Sequence, residues 1–269
     1  MTGLETHYSA RDIEARILAA LRAAGLNPDQ RLSPDALGAL DHFHTGGLRA
    51  SRELMEQAKI GADDRVLDIG AGLAGPARML ASASGCRVDC IEMSADFCAG
   101  AQLLNRLTGL DDQINVHRGS ALDLPFADNS FDVVWMQNVG MNIADKRALY
   151  TEIYRVLKPG GRYAFQEMAA GKMATSYFPL PWASDAADSF LVTADETRAV
   201  LGEVGFVTEH FEDTSDAHLN STAANSAPAA PSALSLGVYV DNLAQKAANA
   251  RRSLEEGQIR LIRGVFRAT

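Results

Sequence analysis

The sequence predicts an α/β fold in which helices cover both faces of a doubly wound, mostly parallel sheet of seven strands. Three observations predict it. From residue 65 onward, short apolar runs typical of strands alternate with stretches of helical periodicity. A glycine-rich turn with the spacing G-x-G-x-x-G follows the first of these runs. Alternation at this spacing is typical of βαβ units, whose strands lie parallel in one sheet.

Only helices are predicted before the alternating region. An apolar stripe at helical spacing indicates a helix over residues 12–24. A second, short helix is expected after Pro34, and a Gly-Gly pair leads into a third helix that stops near Gly61. We expect residues 1–60 to form a helical lid over the sheet.

We assign residues 61–269 to a main domain. It begins with the alternating region, which contains six predicted strands and the helices between them. The strands are predicted, in chain order, at RVLDIG, RVDCIEM, INVHRGSA, FDVVWMQ, RYAFQEM and GFVTEHFEDT. The helices between them are predicted at residues 76–83, 95–108, 146–157 and 193–204. Pro76 suits a first helical turn, and Asp195 and Glu196 complement the dipole at the start of their helix.

The pattern is less regular after the fifth strand and after the sixth. Residues 171–192 contain aromatic residues and prolines without a clear period, and residues 215–233 are predicted to form an exposed loop. A helix at 238–256 and a last strand at QIRLIRGVFRA follow. We expect insertions near 171–192 and 215–256 to contribute to the lid.

Composition and charge limit the classes of function. The chain has 269 residues, 47% of them hydrophobic, which is enough for one large domain with its own core. Its net charge of −9 disfavours a nucleic-acid partner, because phosphate binding requires a positive surface. Neither a signal-peptide pattern nor an apolar run of membrane-spanning length is present, so no membrane partner is predicted.

The three cysteines, Cys86, Cys90 and Cys98, lie close together in the sequence. Their spacing matches no common zinc pattern and includes no Cys-x-x-Cys. We therefore expect buried free thiols in a reducing cytoplasm, and no bound metal.

The glycine turn would bring a ligand close to the backbone, because glycine has no Cβ, and the helix after it offers free N–H groups. Glu92, at the end of the second strand, is placed to bind ribose hydroxyls. The pyrophosphate of NAD and the carboxylate of an amino acid suit this arrangement equally well. Gly70, Gly72, Gly75 and Glu92 therefore leave the ligand open.

Asp68 narrows that choice. It stands two residues before the first glycine, where a dinucleotide site normally carries a small or apolar residue. Its carboxylate would repel pyrophosphate and would suit a ligand that carries an ammonium group. A second interpretation, compatible with the first, is that Asp68 accepts hydrogen bonds from backbone N–H groups of the turn.

Three segments between Val66 and Phe165, namely VLDIGAGLAG, GSALDLPFADNSFDVVW and YRVLKPGGRYAF, resemble the signatures of class I S-adenosylmethionine-dependent methyltransferases. The resemblance implies a Rossmann-like sheet, S-adenosyl-L-methionine as cofactor and S-adenosyl-L-homocysteine as product. The cofactor-binding residues that it implies are His44, Thr45, Asp68, Gly70, Gly72, Glu92, Met93, Ser120, Ala121 and Gln137.

Within this class the chain resembles the sarcosine/dimethylglycine and phosphoethanolamine N-methyltransferases, through FHTGGLRASREL before the sheet and ANARRSLEEGQIRLIRG at the C-terminus. The resemblance implies that Thr45 lies near the cofactor carboxylate and that Glu92 binds both ribose hydroxyls. At Ser120, where many relatives carry an aspartate, this chain offers adenine only a hydroxyl. Phosphoethanolamine enzymes carry an Asp and a His where Asn138 and Asn142 stand here, so that loop lacks its usual general base.

The acceptor is expected to meet the segment after the fourth strand and an aromatic group that includes Phe178. The substrate residues predicted are Asn138, Met141, Asn142, Tyr177 and Trp182. His44 and Asn142 are the candidates for catalytic contact, with His44 as the base if the acceptor is a hydroxyl. In-line methyl transfer otherwise requires mainly alignment and the exclusion of water.

The resemblance thus implies methyl transfer to a small-molecule acceptor, with N-methylation favoured. The alternative among methyltransferases is C- or O-methylation of a ring metabolite in a natural-product pathway. Two other classes are an NAD(P)-dependent oxidoreductase, which predicts a Tyr-x-x-x-Lys pair that we do not expect in this chain, and a catalytically silent methyltransferase-like binding module. Whether the chain is a monomer or a homodimer stays open.

Overall fold

The computed structural model describes residues 12–172, 176–224 and 233–269. Seven strands in these ranges form one sheet. They are β1 Arg65–Ile69, β2 Arg87–Glu92, β3 Ile114–Arg118, β4 Phe131–Gln137, β5 Leu157–Ala170, β6 Phe206–Asp213 and β7 Ile259–Ala268. Their spatial order is β3-β2-β1-β4-β5-β7-β6. β7 is antiparallel to β5 and β6, and the other neighbouring pairs are parallel, so the predicted fold class is confirmed.

Nine α-helices are described in the same ranges. They are α1 Ile13–Ala23, α2 Gly38–Asp41, α3 Gly47–Ala58, α4 Gly75–Ser84, α5 Ala95–Thr108, α6 Lys146–Val156, α7 Ala194–Val204, α8 Ser215–Ala224 and α9 Leu243–Glu255. None of the described helices is long and apolar enough to cross a membrane.

The sheet is buried on both faces, which is why its central strands are nearly continuous apolar runs. Alternate side chains of β1 point to opposite faces. Val66 packs in a core with Leu54 of α3 and Leu80 of α4. Leu67 packs in a second core, with Ile153 of α6 on the other face.

The connection from β6 to β7 starts at the edge of the sheet where the active sites of such folds lie. β5 and β6 are both antiparallel to β7, so β6 runs in the same direction as β1 to β5. The chain therefore leaves β6 at the carboxyl edge of the parallel strands. α8 and α9 belong to this connection and lie over the β5 and β6 side of that edge.

The structure differs from the prediction in three places. Residues 215–224, predicted as part of an exposed loop, form α8, whose first turn is held by a bond from the His218 N–H to the Thr214 carbonyl. The loop prediction failed because this Ala- and Ser-rich helix shows almost no apolar period. The helix predicted from 238 begins only at Leu243, and β5 begins at Leu157 rather than at 162. The predictions for residues 1–11, 173–175 and 225–232 lie outside the described residues.

The N-terminal helices pack against the helices behind the glycine turn. α1 shares an apolar core with α5, in which Ile17 and Leu104 are fully buried. Gly75, the third glycine of the motif, begins α4 where the chain of α2 passes, and a Cβ there would overlap the Asp41 carbonyl. Its role is thus close packing of two backbones rather than contact with a ligand.

Candidate active site

A cavity of about 730 Å³ lies at the carboxyl edge of the sheet. This volume is in the usual range for small-ligand sites, about 300–1,000 Å³. Its wall is formed by the ends of β1, β2 and β4, by the loop before α3, by the segment after β5 and by α8 and α9. Every predicted site residue except Tyr177 lines it: His44, Thr45, Asp68, Gly70, Gly72, Glu92, Met93, Ser120, Ala121, Gln137, Asn138, Met141, Asn142 and Trp182.

The glycine turn is fixed by β2. The N–H groups of Gly70 and Ala71 both donate to the Ile91 carbonyl, and the Gly72 N–H donates to Glu92 Oε2 at 2.9 Å. Gly70 has φ 68°, and a Cβ on it would overlap the Val139 side chain. The turn therefore needs glycine at this position for both conformation and space.

Asp68 is not what holds the turn. Its carboxyl is 2% exposed, and Oδ2 has no hydrogen-bond partner among the described residues. Burial, and secondarily the nearby Glu92, raise the pKa of Asp68 to about 8. A buried carboxylate without a partner is costly, and a cation in the cavity would relieve that cost. Asp68 thus fits a ligand with an ammonium group, whereas Glu92 and Ile91 hold the turn.

Glu92 combines a structural role with free acceptor capacity. Its two oxygens accept the N–H groups of Gly72 and of Ser94, at 2.9 and 2.8 Å. A carboxylate has about four acceptor positions, so each oxygen can still accept a hydroxyl. Burial raises the pKa of Glu92, against the lowering effect of these backbone bonds. The hydroxyl of Ser120 already accepts the Leu122 N–H at 3.1 Å.

His44 belongs to a closed ring of hydrogen bonds that the sequence analysis missed. The Ser51 hydroxyl donates to Gln137 Oε1 at 2.9 Å and lies 2.9 Å from His44 Nε2. His44 Nδ1 also lies 3.4 Å from the Thr45 carbonyl. Gln137 Nε2 lies 3.5 Å from His44 Nδ1 and closes the ring.

This ring argues against His44 as a general base. Burial, with His42 as a secondary cause, lowers the pKa of His44 to about 3. The imidazole is therefore neutral at neutral pH and takes up a proton only in strong acid. His44 is hydrogen-bonded to Ser51 and lies in the cavity wall beside Gln137, and its catalytic role stays a prediction.

The loop before α3 is tied to the ends of β4 and β5. Gln166 Nε2 donates to the Thr45 carbonyl at 2.7 Å, and Asn138 Nδ2 donates to Thr45 Oγ1 at 3.3 Å. Asn138 has φ 54°, a conformation that asparagine tolerates better than most residues. These bonds bring Thr45, which is predicted to bind the cofactor, into direct contact with Asn138, which is predicted to bind the acceptor.

Asn142 and Trp182 meet on the acceptor side. Asn142 Nδ2 donates to the Trp182 carbonyl at 2.8 Å, which fastens the segment after β5 to the segment after β4.

Tyr177, also predicted to contact the acceptor, lies outside the cavity wall. Its ring stacks under Arg252, and its hydroxyl donates to Glu256 at 2.7 Å. Of the predicted aromatic wall, Trp182 lines the cavity and Phe178 packs behind it.

Glu167 of β5 and Lys146 of α6 hold the backbone of the loop after β4 in place by hydrogen bonds. Glu167 Oε1 accepts the N–H groups of Val139 and Gly140, and Lys146 Nζ donates to the carbonyls of Gly140 and Ile143. Burial raises the pKa of Glu167 to about 7 and lowers that of Lys146 to about 8. Sequence analysis did not name Glu167 as a site residue. The signal that could have indicated it is its position as an acidic residue at the end of the strand run RYAFQEM.

The outer part of the cavity is formed mainly by apolar side chains that no sequence motif indicated. Besides the predicted Met141 and Trp182, they come from β5, α8 and α9 and include Met168, Leu219, Leu243, Ala250 and Leu254. Two basic residues, His218 and Arg251, lie among them. The apolar character of this part fits an acceptor that is itself largely apolar.

Two other expectations concern metal and hydride chemistry. The described residues contain no cluster of His, Cys, Asp and Glu that could hold a metal ion. The Tyr-x-x-x-Lys spacing of hydride-transfer enzymes occurs at Tyr154 and Lys158, but away from the cavity. The Tyr154 hydroxyl donates to the Thr269 carbonyl, and Lys158 pairs with Asp132.

Comparisons with known proteins agree with this geometry. Residues 67–165 match a family model described as a methyltransferase domain. The chain is 37% identical over 130 residues to the glycine/sarcosine/dimethylglycine N-methyltransferase of Actinopolyspora halophila, which covers 48% of this chain and 23% of that protein. The chain spans less than half the length of several curated relatives that it matches.

Two solved structures have a similar fold. One is phosphoethanolamine N-methyltransferase 2 of Haemonchus contortus, with a TM-score of 0.69 and 19% identity over 96% of this chain and 60% of that one. The other is geranyl diphosphate C-methyltransferase of Streptomyces coelicolor A3(2), with a TM-score of 0.67 and 19% identity over 82% of this chain and 79% of that one. The resemblance predicted from the sequence is confirmed, and it lies in residues 67–165, which match the methyltransferase-domain model.

Proposed function

We propose that the protein is an enzyme that transfers a methyl group from S-adenosyl-L-methionine to a small-molecule acceptor, with nitrogen the favoured acceptor atom. One observation carries the proposal: Asp68, whose Oδ2 has no partner in the described part of the chain, stands beside the Gly70–Gly72 turn and Glu92 in one cavity. A cofactor with an ammonium group and a ribose fits these two carboxylates. The relatives named as N-methyltransferases support nitrogen as the acceptor atom.

The chain's own residues would hold the cofactor in a defined order. Asp68 would bind the ammonium group, Glu92 the ribose hydroxyls, and Met93 and Ala121 would pack on adenine. When bound, S-adenosylmethionine supplies a methyl group on a sulfonium and leaves as S-adenosylhomocysteine. Gln137, held by the ring with His44 and Ser51, faces the amino-acid end of the ligand.

The rest of the site would align the acceptor and exclude water, which are the main requirements of in-line transfer. Asn138, Met141 and Asn142 would contact the acceptor, together with Trp182. An amine acceptor that arrives neutral needs no base, in keeping with the low pKa of His44. We propose that the segments before β1, after β5 and between β6 and β7 form a lid over both ligands.

Methylation at carbon or oxygen is the second candidate. The observation that favours it is the apolar outer part of the cavity, which suits a hydrophobic acceptor better than it suits an amino acid. The fold shared with a geranyl diphosphate C-methyltransferase is compatible with it. We further propose that the protein is cytoplasmic, and the three free, buried cysteines support a reducing compartment.

Calorimetry tests the cofactor. We expect S-adenosylhomocysteine to bind and NADH not to bind, and Glu92→Ala to weaken S-adenosylhomocysteine at least about tenfold because charge-assisted hydrogen bonds to ribose are lost. Glu56→Ala, on the exposed side of α3, is the control and leaves the affinity unchanged. Binding of NADH alone would overturn the assignment.

Turnover separates an enzyme from a silent binding module. Amines, phenols and small acids are screened with a methyl donor labelled on the methyl group, and transfer of label to an acceptor is measured. We expect amines to be labelled. Cofactor binding without transfer to any acceptor class would favour the binding module.

A further inference from the structure

The connection between β6 and β7 lines the acceptor side of the cavity with apolar side chains and two basic ones. Cofactor residues come from β1, β2 and the loop before α3, whereas α8 and α9 cover the β5 and β6 side of the sheet edge. Leu219 of α8 and Leu254 of α9 line the cavity there and pack in one apolar cluster with Met141 and Trp182. A compact, polar acceptor such as dimethylglycine would leave this surface in contact with water.

Basic side chains interrupt that apolar wall at one place. His218 of α8 lines the cavity, and its Nδ1 is buried without a hydrogen-bond partner among the described residues. Arg251 of α9 lines the cavity as well. Burial lowers the pKa of His218, and the charges of Arg49 and Arg251 lower it further, so the imidazole is neutral and two arginines lie near it.

Arg251 keeps donors for a ligand. Its Nε donates to Glu255 Oε1 at 2.8 Å in a half-exposed pair one turn along the helix, which contributes little by itself. A guanidinium has five N–H donors, so its terminal nitrogens can still bind an oxyanion in a bidentate manner. The lining carboxylates come from other segments: Asp41, Asp68, Glu92 and Asp145.

We propose that the acceptor has an apolar body and an acidic group, a carboxylate or a phosphate, and that Arg251 and His218 bind this acidic group. The apolar body lies along Met141, Trp182, Leu219 and Leu254. Arg251 supplies charge and paired donors, and His218 supplies one neutral donor. The proposal rests on the proposed function, since it names the class of acceptor for the same cavity, and it leaves open which atom is methylated.

Arg252 provides a matched control for Arg251. Both arginines are on α9, both are about half exposed, and both pair with a glutamate four residues later. Only Arg251 lines the cavity, whereas Arg252 covers the ring of Tyr177. A difference between Arg251→Ala and Arg252→Ala therefore reports on the cavity and not on helix stability.

The test is calorimetry on the full chain saturated with S-adenosylhomocysteine, with octanoate, octyl phosphate, octan-1-ol and dimethylglycine as probes. We expect at least one of the two acids to bind about tenfold tighter than octan-1-ol and than dimethylglycine. Arg251→Ala removes this advantage, Arg252→Ala keeps it, and His218→Ala reduces it several-fold. Tighter binding of octanoate would indicate an acceptor with a carboxylate, and tighter binding of octyl phosphate an acceptor with a phosphate.

The outcomes separate this proposal from the proposed function. If S-adenosylhomocysteine binds but neither acid binds better than octan-1-ol, the acidic acceptor is wrong and the methyltransferase assignment stands. Equal effects of Arg251→Ala and Arg252→Ala would also overturn it, provided that both variants keep the wild-type unfolding temperature. Failure of S-adenosylhomocysteine itself to bind would instead overturn the proposed function.

Discussion

Asp68 and Glu92 are buried carboxyl groups at the ends of neighbouring parallel strands, yet they have different partners. Glu92 accepts the backbone N–H groups of Gly72 and Ser94. Asp68 Oδ2 has no partner among the described residues, and burial keeps its pKa near 8. At one strand end the carboxyl group thus belongs to the scaffold and keeps acceptor positions for a ligand, whereas at the next its Oδ2 has no partner among the described residues.

Cofactor affinity is expected to rise with pH because of Asp68. Its pKa is raised to about 8, so below pH 8 the free protein holds Asp68 neutral, and binding an ammonium group requires that it lose a proton. We expect the affinity for S-adenosylhomocysteine to increase between pH 6 and pH 7.5, by up to about tenfold per pH unit. Calorimetry in two buffers of different ionisation enthalpy measures both the affinity and the proton released.

Asp68→Asn is the control for this pH dependence. It keeps the size of the side chain and removes its titration, so the affinity should be weaker and nearly independent of pH over the same interval. A slope that persists in Asp68→Asn would assign the titration to another group, with Glu92 the nearest candidate.

At the scale of elements, the loop between β4 and α6 depends on one strand-end glutamate. Glu167 of β5 accepts the N–H groups of Val139 and Gly140, while Lys146 at the start of α6 donates to three carbonyls around the same loop. β5 and α6 therefore hold the backbone that presents Met141 and Asn142 to the cavity. The loop is positioned by neighbouring elements rather than by its own sequence.

Glu167→Ala is expected to destabilise the fold by about 2–4 kcal/mol, because it leaves two buried N–H groups without an acceptor. Urea unfolding measures the change. Glu203→Ala is the control, since Glu203 of α7 forms an exposed pair with Arg147 of α6, and we expect it to cost less than about 1 kcal/mol. Similar losses for both variants would mean that the loop does not depend on Glu167.

For the whole molecule, a buried ion pair joins the N-terminal helices to the sheet domain. Arg78 of α4 donates to Asp41 Oδ2 and to Asn105 Oδ1, both at 2.7 Å, and its side chain is 1% exposed. Asp41 also accepts from His42 and lines the cavity. The ion pair thus connects α2, α4 and α5 behind the glycine turn.

Arg78→Met is expected to lower the free energy of unfolding by about 3–5 kcal/mol, because it leaves Asp41 buried without its charge partner. Arg106→Ala serves as the control. Arg106 of α5 also pairs with the N-terminal helices, through Glu14, but at 3.7 Å and half exposed, so a change below about 1 kcal/mol is expected. Equal effects in urea unfolding would show that the buried pair contributes no more than the exposed one.

Patterns that repeat along the chain were sufficient to predict most of the fold. α5 at 95–108 and β4 at 131–137 have the predicted bounds, because each has a clear period between strong end signals, such as Gly109 after α5. The helix at 215–224 was missed because Ala, Ser and Asn give no apolar stripe, and it lies against β7, which is distant in sequence. Local composition could not indicate that position.

By itself, the sequence determined the fold class, the methyltransferase resemblance and the residues at strand ends that face a cofactor, since the carboxyl ends of parallel strands meet at one edge. Only the tertiary structure decided what each of these residues does. It showed Asp68 Oδ2 without a partner among the described residues, His44 hydrogen-bonded to Ser51, and Tyr177 turned away from the cavity. It also brought His218 and Arg251 to the acceptor side. Hydrogen-bond partners and burial depend on segments distant in sequence, so no local pattern contains them.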